Sequence, residues 1–254
     1  MTQDTIAVLG GTGTLGRLVS AELARRGADV RVLSRTPAAV PGGATHLRVD
    51  LSTGEGLTAA LAGVGAVVDA ANASRRAERV LVDGTRRLLA AEAEAGVGHH
   101  VLISIVGCDR VPVSYYKTKV AQEELVCGGP VPWTVLRATQ FPQLLDGWFA
   151  AAARWRVRPT GAARFQPVDP ALVAARLAEL ALGAPAGRVD DVGGPEVATL
   201  SELSAQWARV RGRRGMALRL PSLGRAGRAL ADGALCTPAG ALPGPTFTEW
   251  LSRG

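Results

Sequence analysis

The sequence has few of the residues on which disulfide frameworks, metal sites and membrane spans depend. Its 254 residues include 3 cysteines and 3 histidines. The cysteines are scattered without C-x-x-C spacing and the histidines form no ligand cluster, so we predict neither a disulfide framework nor a metal site. No apolar run is long enough to span a membrane, and no basic, apolar leader precedes the first strand-like segment. We therefore expect a cytoplasmic protein with no membrane partner.

Aromatic residues are also scarce, at 4% of the chain, although the net charge is +7. The densest basic cluster, residues 209–214, is not interleaved with aromatic residues and is not set on a recognition helix, as a nucleic-acid-binding surface would require. We interpret it as a solvated helix end followed by a turn. No nucleic-acid partner is predicted, and a hydrophobic content of 47% is typical of a globular protein.

Glycine is plentiful, and one glycine-rich turn organises the rest of the chain. The apolar residues 6–9 lead into glycines 10, 13 and 16, which follow a G-x-x-G-x-x-G spacing before a helix-like segment. Without Cβ atoms the backbone can turn sharply and approach a pyrophosphate, which the N-terminus of the following helix attracts. A structural glycine turn is the alternative. The context predicts a dinucleotide site built from Gly10, Thr12, Gly13, Thr14, Leu15 and Gly16.

Short apolar segments then alternate with helix-length segments, which is typical of a parallel sheet covered on both faces. We predict strands at 29–33, 47–49, 66–70, 101–104 and 133–136, and helices from residue 14, over 78–95 and over 115–126. The predicted fold is α/β, a Rossmann-type doubly wound parallel sheet with a small C-terminal substrate region. Residues 1–140 form the dinucleotide-binding core in this prediction, and residues 141–254 form a substrate-binding region packed on the core, so that the whole chain is a single compact unit.

Capping signals mark two helices in the C-terminal region. An Asp-Pro pair precedes a helix over 171–182, and a capping box opens a helix over 200–210. Residues 188–192 are predicted to form a strand. From residue 221 onward the sequence assigns no element.

The end of the second strand decides which dinucleotide is preferred, because an NAD-binding enzyme usually places an acidic residue there. This sequence instead has Ser34 and Arg35. A guanidinium makes charge-assisted bonds to a phosphate, so we predict NADP(H) in preference to NAD(H), with Ser34 as a hydroxyl donor. A surface arginine is the alternative. Asp50 either accepts from the adenine amino group or caps the next turn, and both interpretations stay open.

A second group of residues has the chemistry of an acid/base site. Tyr115 and Lys119 are four residues apart, so on a helix they share a face. A neighbouring ammonium lowers the pKa of a phenol toward neutrality, and Lys119 can also bind a ribose. Ser104, at the end of the fifth strand, is placed to polarise a substrate carbonyl. The pairing of Tyr115 with Lys119 is equally compatible with a structural role.

Together these motifs resemble the short-chain dehydrogenase/reductase superfamily, in its atypical, NmrA-like NAD(P)-binding branch. The resemblance rests on GGTGTLG, VLSRTP, the Ser104 strand end and Y-x-x-x-K, and it extends to residues 136–141, 167–169 and 193–196. It implies that Tyr115 is the acid/base, Lys119 its pKa modulator and ribose ligand, and Ser104 the carbonyl-orienting hydroxyl. In this superfamily the serine often follows another serine or threonine, whereas here Ile105 follows Ser104. Tyr116 is a second phenol that competes with Tyr115 for the acid/base role. Further cofactor contacts are expected from Leu51, Ala70, Ala71, Asn72, Gln140 and Phe141.

These residues lead to two functional hypotheses. The first is an NADPH-dependent reductase that delivers hydride to a carbonyl or conjugated double bond of a small organic substrate. The second is an NADP-sensing regulator without turnover, and isomerisation or dehydration without net redox is a third option. Substrate contacts are expected from Phe141, Gln143, Trp148 and Gln166. The resemblance also allows a homodimer.

Overall fold

The computed structural model describes residues 5–40, 42–73 and 77–253. Its strands are β1 (Thr5–Leu9), β2 (Asp29–Ser34), β3 (Thr45–Arg48), β4 (Ala66–Asp69), β5 (His99–Ile105), β6 (Trp133–Ala138), β7 (Val157–Thr160), β8 (Arg164–Phe165), β9 (Gly187–Arg188), β10 (Ala198–Thr199) and β11 (Met216–Arg219). Its α-helices are α1 (Thr14–Arg25), α2 (Leu57–Leu61), α3 (Gly84–Ala95), α4 (Ser114–Cys127), α5 (Pro142–Ala153), α6 (Pro170–Leu182), α7 (Leu200–Val210), α8 (Gly224–Ala231) and α9 (Phe247–Ser252). A π-helix spans Glu78–Asp83, and a 3₁₀-helix spans Pro238–Gly240.

Seven of the strands form one parallel sheet in the order β3-β2-β1-β4-β5-β6-β9. The chain moves outward from β1 through β2 to β3, then returns to pair β4 with the other edge of β1. This reversal creates the crevice in which doubly wound sheets bind ligands, at the carboxyl ends of β1 and β4. The predicted Rossmann-type fold is confirmed.

The central strands are apolar because helices cover both faces of the sheet. All four residues of β4 are buried, as are the last four of β1. Leu88 of α3 packs in the same apolar cluster as Ala7 and Leu9 of β1. On α1, leucines and valines at helical spacing form the buried stripe, and the chain leaves this helix through Gly27 at a φ of +86°.

The chain divides into two compact units. The first unit comprises Met1–Ser104, Lys117–Leu136 and Val173–Val189; the second comprises Ile105–Tyr116, Arg137–Leu172 and Asp190–Gly254. The core of the second unit is a cluster from its helices and short strands: Leu145, Phe149, Phe165, Ala198, Leu200, Leu203, Trp207, Phe247 and Leu251. Two small sheets, β8 with β10 and β7 with β11, complete the second unit's described strands.

Several element boundaries differ from the sequence prediction. The helix expected over 78–95 is a π-helix followed by α3, and Gly84 at the junction packs against Leu51. The strand expected over 188–192 is limited to Gly187–Arg188, and the rest of the expected range includes Asp190 and Asp191, a residue type that strands disfavour. Val192 makes an isolated bridge to Ala138 instead. The third strand is Thr45–Arg48 rather than 47–49.

Both capping signals in the C-terminal region are confirmed. Asp169 accepts from the backbone N–H of Ala171 at 2.9 Å, just inside α6. Thr199 and Glu202 form the reciprocal capping box of α7. The arginine cluster at 209–214 is the end of that helix and the turn after it, as expected. Within the described ranges, no helix combines the length and the apolar character needed to cross a membrane.

Candidate dinucleotide and acid/base site

The glycine turn forms a close-packed backbone cradle after β1. Gly10 has a φ of +69°, and a Cβ atom added to it would lie 2.9 Å from the carbonyl oxygen of Ala70. A Cβ atom on Gly16 would lie 2.7 Å from the Cα of Gly11 and would also overlap the carbonyl oxygen of Gly10. Only glycine fits these two positions, because the clashing atoms belong to the backbone. The cradle therefore matches the tight turn and close helix packing of a dinucleotide site.

The N-terminus of α1 is open to an anion. Gly13 precedes the helix without a side-chain cap, and the described first turn holds no acidic residue. Thr12 is half-buried, Gly13 and Thr14 are exposed, and Leu15 is buried. The first N–H groups of α1 have no acceptor within the helix, so a pyrophosphate can satisfy them and gain from the helix dipole. These residues fit a bound dinucleotide.

Ser34 and Arg35 lie where β2 ends. The buried Ser34 hydroxyl donates to the carbonyl oxygen of Thr36 at 2.8 Å and lies 2.9 Å from Nε2 of His46. Ser34 is thus held by its own loop in this structure, and its role as a phosphate donor stays a prediction. The side chain of Arg35 is exposed, as a residue that binds an external phosphate must be.

Asp50 takes part in a local turn. Its Oδ1 accepts from the backbone N–H and the hydroxyl of Ser52, at 2.8 and 2.7 Å. The Ser52 hydroxyl bond lowers the pKa of Asp50 against the opposing effect of burial, and the nearby charges of Arg35 and Arg79 lower it further. Of the two interpretations left open, the turn cap is present, and the contact to adenine stays a prediction. Leu51 is buried beside it.

The segment after β4 closes the other side of the cradle. Asp69 is fully buried, and its Oδ1 accepts from the backbone N–H of Ala71 at 3.0 Å. This bond shapes the segment that Gly10 packs against, and Ala70 and Ala71 are both half-buried there. Asn72, which follows, is exposed.

Lys119 points into the first unit. Its side chain is 4% exposed, and its ammonium donates to the carbonyl oxygen of Ile103 at 3.0 Å and to Oε1 of Gln122 at 2.5 Å. Ser104, at the end of β5, is also buried, and its hydroxyl has no hydrogen-bond partner among the described residues. An unpaired buried hydroxyl is costly, which makes Ser104 a candidate for contact with a bound ligand.

The two tyrosines at the start of α4 have different surroundings. Tyr116 packs against the apolar cluster of Val111, Ala234 and Leu235. Burial raises the pKa of Tyr116 to about 12, and the neighbouring Tyr115 and Cys108 add to this rise. Tyr116 is therefore poorly suited to exchange a proton near neutrality. Tyr115 is half-buried and shares α4 with Lys119, four residues along.

The predicted contact residues of the second unit fall into two groups. Gln140 and Gln166 are buried and bind the backbone: Gln140 donates to Leu235 O at 3.0 Å, and Gln166 donates to Gly194 O at 2.8 Å. Gln166 also accepts from the N–H of Thr237 at 2.7 Å. These amides hold loops together, which is a structural task.

Phe141, Gln143 and Trp148 lie at the start of α5 and along it. Phe141 is half-buried, and Trp148 is 47% exposed with its ring edge-on to Phe165, the centroids 6.1 Å apart. The Oε1 atom of Gln143 is buried without a hydrogen-bond partner among the described residues. Gln143 thus has an unsatisfied polar atom and Trp148 an exposed apolar ring, and their roles as substrate contacts stay predictions.

Comparison with known proteins identifies the group to which this geometry belongs. The model of the NAD(P)H-binding family matches residues 10–164. The chain belongs to the NAD(P)H-binding family. The match begins at the glycine turn and includes Tyr115 and Lys119, and the resemblance to the atypical short-chain dehydrogenases/reductases is confirmed.

Two curated relatives and one solved structure are similar to this chain. The (4-alkanoyl-5-oxo-2,5-dihydrofuran-3-yl)methyl phosphate reductase of Streptomyces griseus is 32% identical over 218 residues, which are 82% of this chain and 74% of the relative. A photosystem II assembly factor of Synechocystis is 30% identical over 154 residues, 57% of this chain and 47% of its own. The NADPH-dependent quinone oxidoreductase of Escherichia coli, solved with NADPH, shares the fold with a TM-score of 0.81 at 21% identity, covering 98% of this chain and 99% of that one.

Sequence reasoning missed three residues that the structure places at the site. Asp69 and Gln122 form the surroundings of Lys119, and Arg79 is close enough to Asp50 to affect its pKa. Asp69 could have been found, because a carboxylate that ends a strand next to the glycine turn is unusual in an otherwise apolar run. Gln122 and Arg79 carry no comparable signal, since both are ordinary helix residues.

Proposed function

We propose that the protein is an NADPH-dependent reductase of conjugated carbonyl compounds. The observation that carries the proposal is the cradle of Gly10 and Gly16 with the uncapped N-terminus of α1, because both fit the pyrophosphate of a dinucleotide. When bound, NADPH supplies the hydride. The residues of the chain bind the cofactor, orient the substrate and provide the proton.

NADPH is proposed in preference to NADH because of the charges around Arg35. Its exposed guanidinium follows β2, and Arg79 is a second cation near the same carboxylate, Asp50. A 2′-phosphate gains charge-assisted hydrogen bonds from arginine that a plain ribose cannot make.

Tyr115 is proposed as the proton donor and Lys119 as the residue that assists it and binds the nicotinamide ribose. The apolar surroundings of Tyr116 favour this choice, because they hold the pKa of its phenol at about 12. The unpartnered hydroxyl of Ser104 suits a donor to the substrate carbonyl. Gln143 and Trp148 are proposed as specificity residues, whereas Gln166 is proposed to be structural.

The names of one relative and one structural neighbour support a conjugated substrate. One is a reductase of a 5-oxo-2,5-dihydrofuran, and one is a quinone oxidoreductase. Each of these ring systems contains a carbonyl conjugated with a carbon-carbon double bond. We therefore propose quinones and unsaturated lactones as the substrate class.

The cofactor half of the proposal is tested by titrating the protein with NADPH and NADH. Arg35→Ala should weaken NADPH binding by about tenfold and leave NADH binding nearly unchanged. Arg209→Ala removes the same charge from an exposed position and serves as the control. If Arg35→Ala weakens both dinucleotides equally, Arg35 does not recognise the 2′-phosphate.

The catalytic half is tested by following NADPH oxidation with a quinone, an unsaturated lactone and a saturated ketone. Tyr115→Phe should lower kcat about a hundredfold with an unchanged Kd for NADPH, whereas Tyr116→Phe should stay within about threefold of the wild type. Equal turnover in wild type and Tyr115→Phe would remove Tyr115 from the mechanism.

A second candidate function is nucleotide binding without turnover. It is favoured by the 30% identity to a photosystem II assembly factor. This candidate predicts NADPH binding with no oxidation in the presence of any of the three acceptors, so the same experiment separates the two.

A further inference from the structure

Three buried side chains of the first unit form a continuous chain of hydrogen bonds. The Lys119 ammonium donates to Oε1 of Gln122 at 2.5 Å, and Nε2 of Gln122 donates to Oδ2 of Asp69 at 3.0 Å. Gln122 and Asp69 are both 0% exposed. Such polar groups are costly to bury, and the bonds among the three side chains offset part of this cost.

The orientation of the Gln122 amide follows from its partners. An ammonium has only donors and a carboxylate only acceptors, so Oε1 must face Lys119 and Nε2 must face Asp69. Nε2 also lies 3.1 Å from the hydroxyl oxygen of Thr85. The amide is therefore held from both ends and cannot flip without losing every one of these bonds.

Asp69 joins this chain to the glycine turn. While Oδ2 accepts from Gln122, Oδ1 accepts from the N–H of Ala71 at 3.0 Å. Ala71 belongs to the segment against which Gly10 packs, with only 2.9 Å between the Ala71 Cα and a Cβ atom added to Gly10. One carboxylate thus contacts both the backbone beside the pyrophosphate cradle and the amide that holds Lys119.

We infer that Gln122 and Asp69 are positioning residues that fix the Lys119 ammonium relative to the dinucleotide cradle. The inference rests on the proposed function, in which Lys119 binds the nicotinamide ribose. Gln122 touches neither cofactor nor substrate in this assignment and acts only through Lys119. Loss of the Gln122 amide should therefore weaken the binding of the nicotinamide half of NADPH and leave the binding of the adenosine half unchanged.

The test compares two ligands. Gln122→Met keeps the length of the side chain and removes its polar atoms. We expect it to weaken NADPH binding about tenfold, while the Kd for adenosine 2′,5′-bisphosphate, which lacks the nicotinamide half, stays within about twofold. Retained binding of the bisphosphate shows that the cradle is still folded.

Thr134→Val is the matched control, because Thr134 is also fully buried and also makes two hydrogen bonds, to His99 and to the N–H of Ala186. It should leave both Kd values within about twofold of the wild type. If Gln122→Met binds NADPH as the wild type does, or if Thr134→Val weakens NADPH binding equally, Gln122 is not a positioning residue.

Gln122→Glu adds a readout that packing alone would not change. When protonated, the introduced carboxyl can accept from Lys119 and donate to Asp69 as the amide does. When ionised, it faces the Asp69 carboxylate, and the two repel each other. The ratio of its NADPH Kd to that of the wild type should fall at least about threefold from pH 8 to pH 5.5; a constant ratio would overturn the inference.

The ratio is used because other ionisable groups lie nearby. The buried Glu92 of α3 and His100 of β5 interact electrostatically with Asp69 on β4, which Gln122 links to Lys119 on α4. They are present in both proteins, so the ratio removes the part of their effect that the two proteins share.

Failure of the proposed function gives a different result. A wild-type protein that binds neither ligand contradicts the cofactor assignment itself. A wild type that binds both ligands, with Lys119→Met weakening NADPH and Gln122→Met not, contradicts the positioning role alone.

Discussion

The two units bury polar side chains in different ways. In the first unit several of them pair with one another, namely Lys119 with Gln122, Gln122 with Asp69, and His100 with Glu92, although Lys119 and Asp69 also bind the backbone. In the second unit the buried amides bind mainly the backbone, as Gln166 does to the carbonyl oxygen of Gly194 and the N–H of Thr237.

This difference distinguishes side chains that can take part in chemistry from side chains that support the structure. A side chain held by another side chain keeps its charge and can be tuned by a single substitution. A side chain that satisfies loop N–H and C=O groups is part of the scaffold, because those groups would otherwise be buried without partners. Candidate chemistry should therefore be sought among the side-chain pairs of the first unit and at unsatisfied atoms such as Gln143 Oε1 in the second.

The largest effect is expected at Gln166, whose buried amide binds several backbone groups of the second unit. Gln166→Leu should lower the free energy of unfolding by about 3–5 kcal/mol, because it leaves several backbone groups unpaired. Urea denaturation measures the loss. Gln143→Leu is the control, since the Oε1 of Gln143 has no partner among the described residues to lose. Equal stability of Gln166→Leu and the wild type would contradict the scaffold role.

Glu92→Gln should have a smaller effect on stability, and the size of this effect should depend on pH. The pair is fully buried, with 2.9 Å between the His100 Nδ1 and each carboxylate oxygen of Glu92. Burial alone would lower the pKa of His100, but the charge and hydrogen bond of Glu92 outweigh it and raise the pKa above 6.5. The stabilisation from His100 is therefore complete below about pH 6.5 and lost as the pH rises through the raised value.

In Glu92→Gln the burial effect dominates, so the pKa of His100 should fall below its ordinary value. The contribution of His100 is then present above about pH 6.5 and lost at lower pH. We expect a cost of about 1–3 kcal/mol at pH 6 and a smaller one at pH 8, measured by denaturation at both pH values. A cost independent of pH would mean that the pair is not charged in the wild type.

A third prediction concerns a single bond to the backbone. The Thr139 hydroxyl donates to the carbonyl oxygen of Gln166 in the second unit. Thr139→Val keeps the shape and should cost about 1 kcal/mol, because that carbonyl oxygen loses its donor. Comparing Thr139→Val with Gln166→Leu in the same denaturation series shows whether the cost grows with the number of backbone bonds lost.

The smallest effect is expected at an exposed pair of the first unit. Nη1 of Arg86 lies 2.9 Å from Oδ1 of Asp83, and the two side chains are 59% and 45% exposed. Asp83→Asn should change the free energy of unfolding by less than about 0.5 kcal/mol, since water and salt screen such pairs. A larger change would show that burial is not what distinguishes the side-chain pairs of this unit.

Much of the first unit could be predicted from the sequence because its signals are local. The glycine spacing, the apolar strands and the position of Arg35 after β2 all depend on neighbours within a few residues. The second unit has fewer local signals, so less of it could be predicted. Short strands such as β8 and β10 exist only because they pair with each other across more than 30 residues of chain. One local signal was missed, the Thr246–Glu249 capping box that opens α9.

Although the packing of Gly10 against Ala70 and Ala71 depends on β4, the sequence by itself determined the glycine turn, because a turn without Cβ atoms between a strand and a helix is a local signal. It also determined that Tyr115 and Lys119 share a helix, which follows from helical periodicity. Only the tertiary structure decided what surrounds them. Asp69 and Gln122 are 53 residues apart, and their contact depends on β4 and α4 meeting in the fold. Tyr116 is set apart from Tyr115 for the same reason, since the cluster that buries it comes from residues 111 and 234–235.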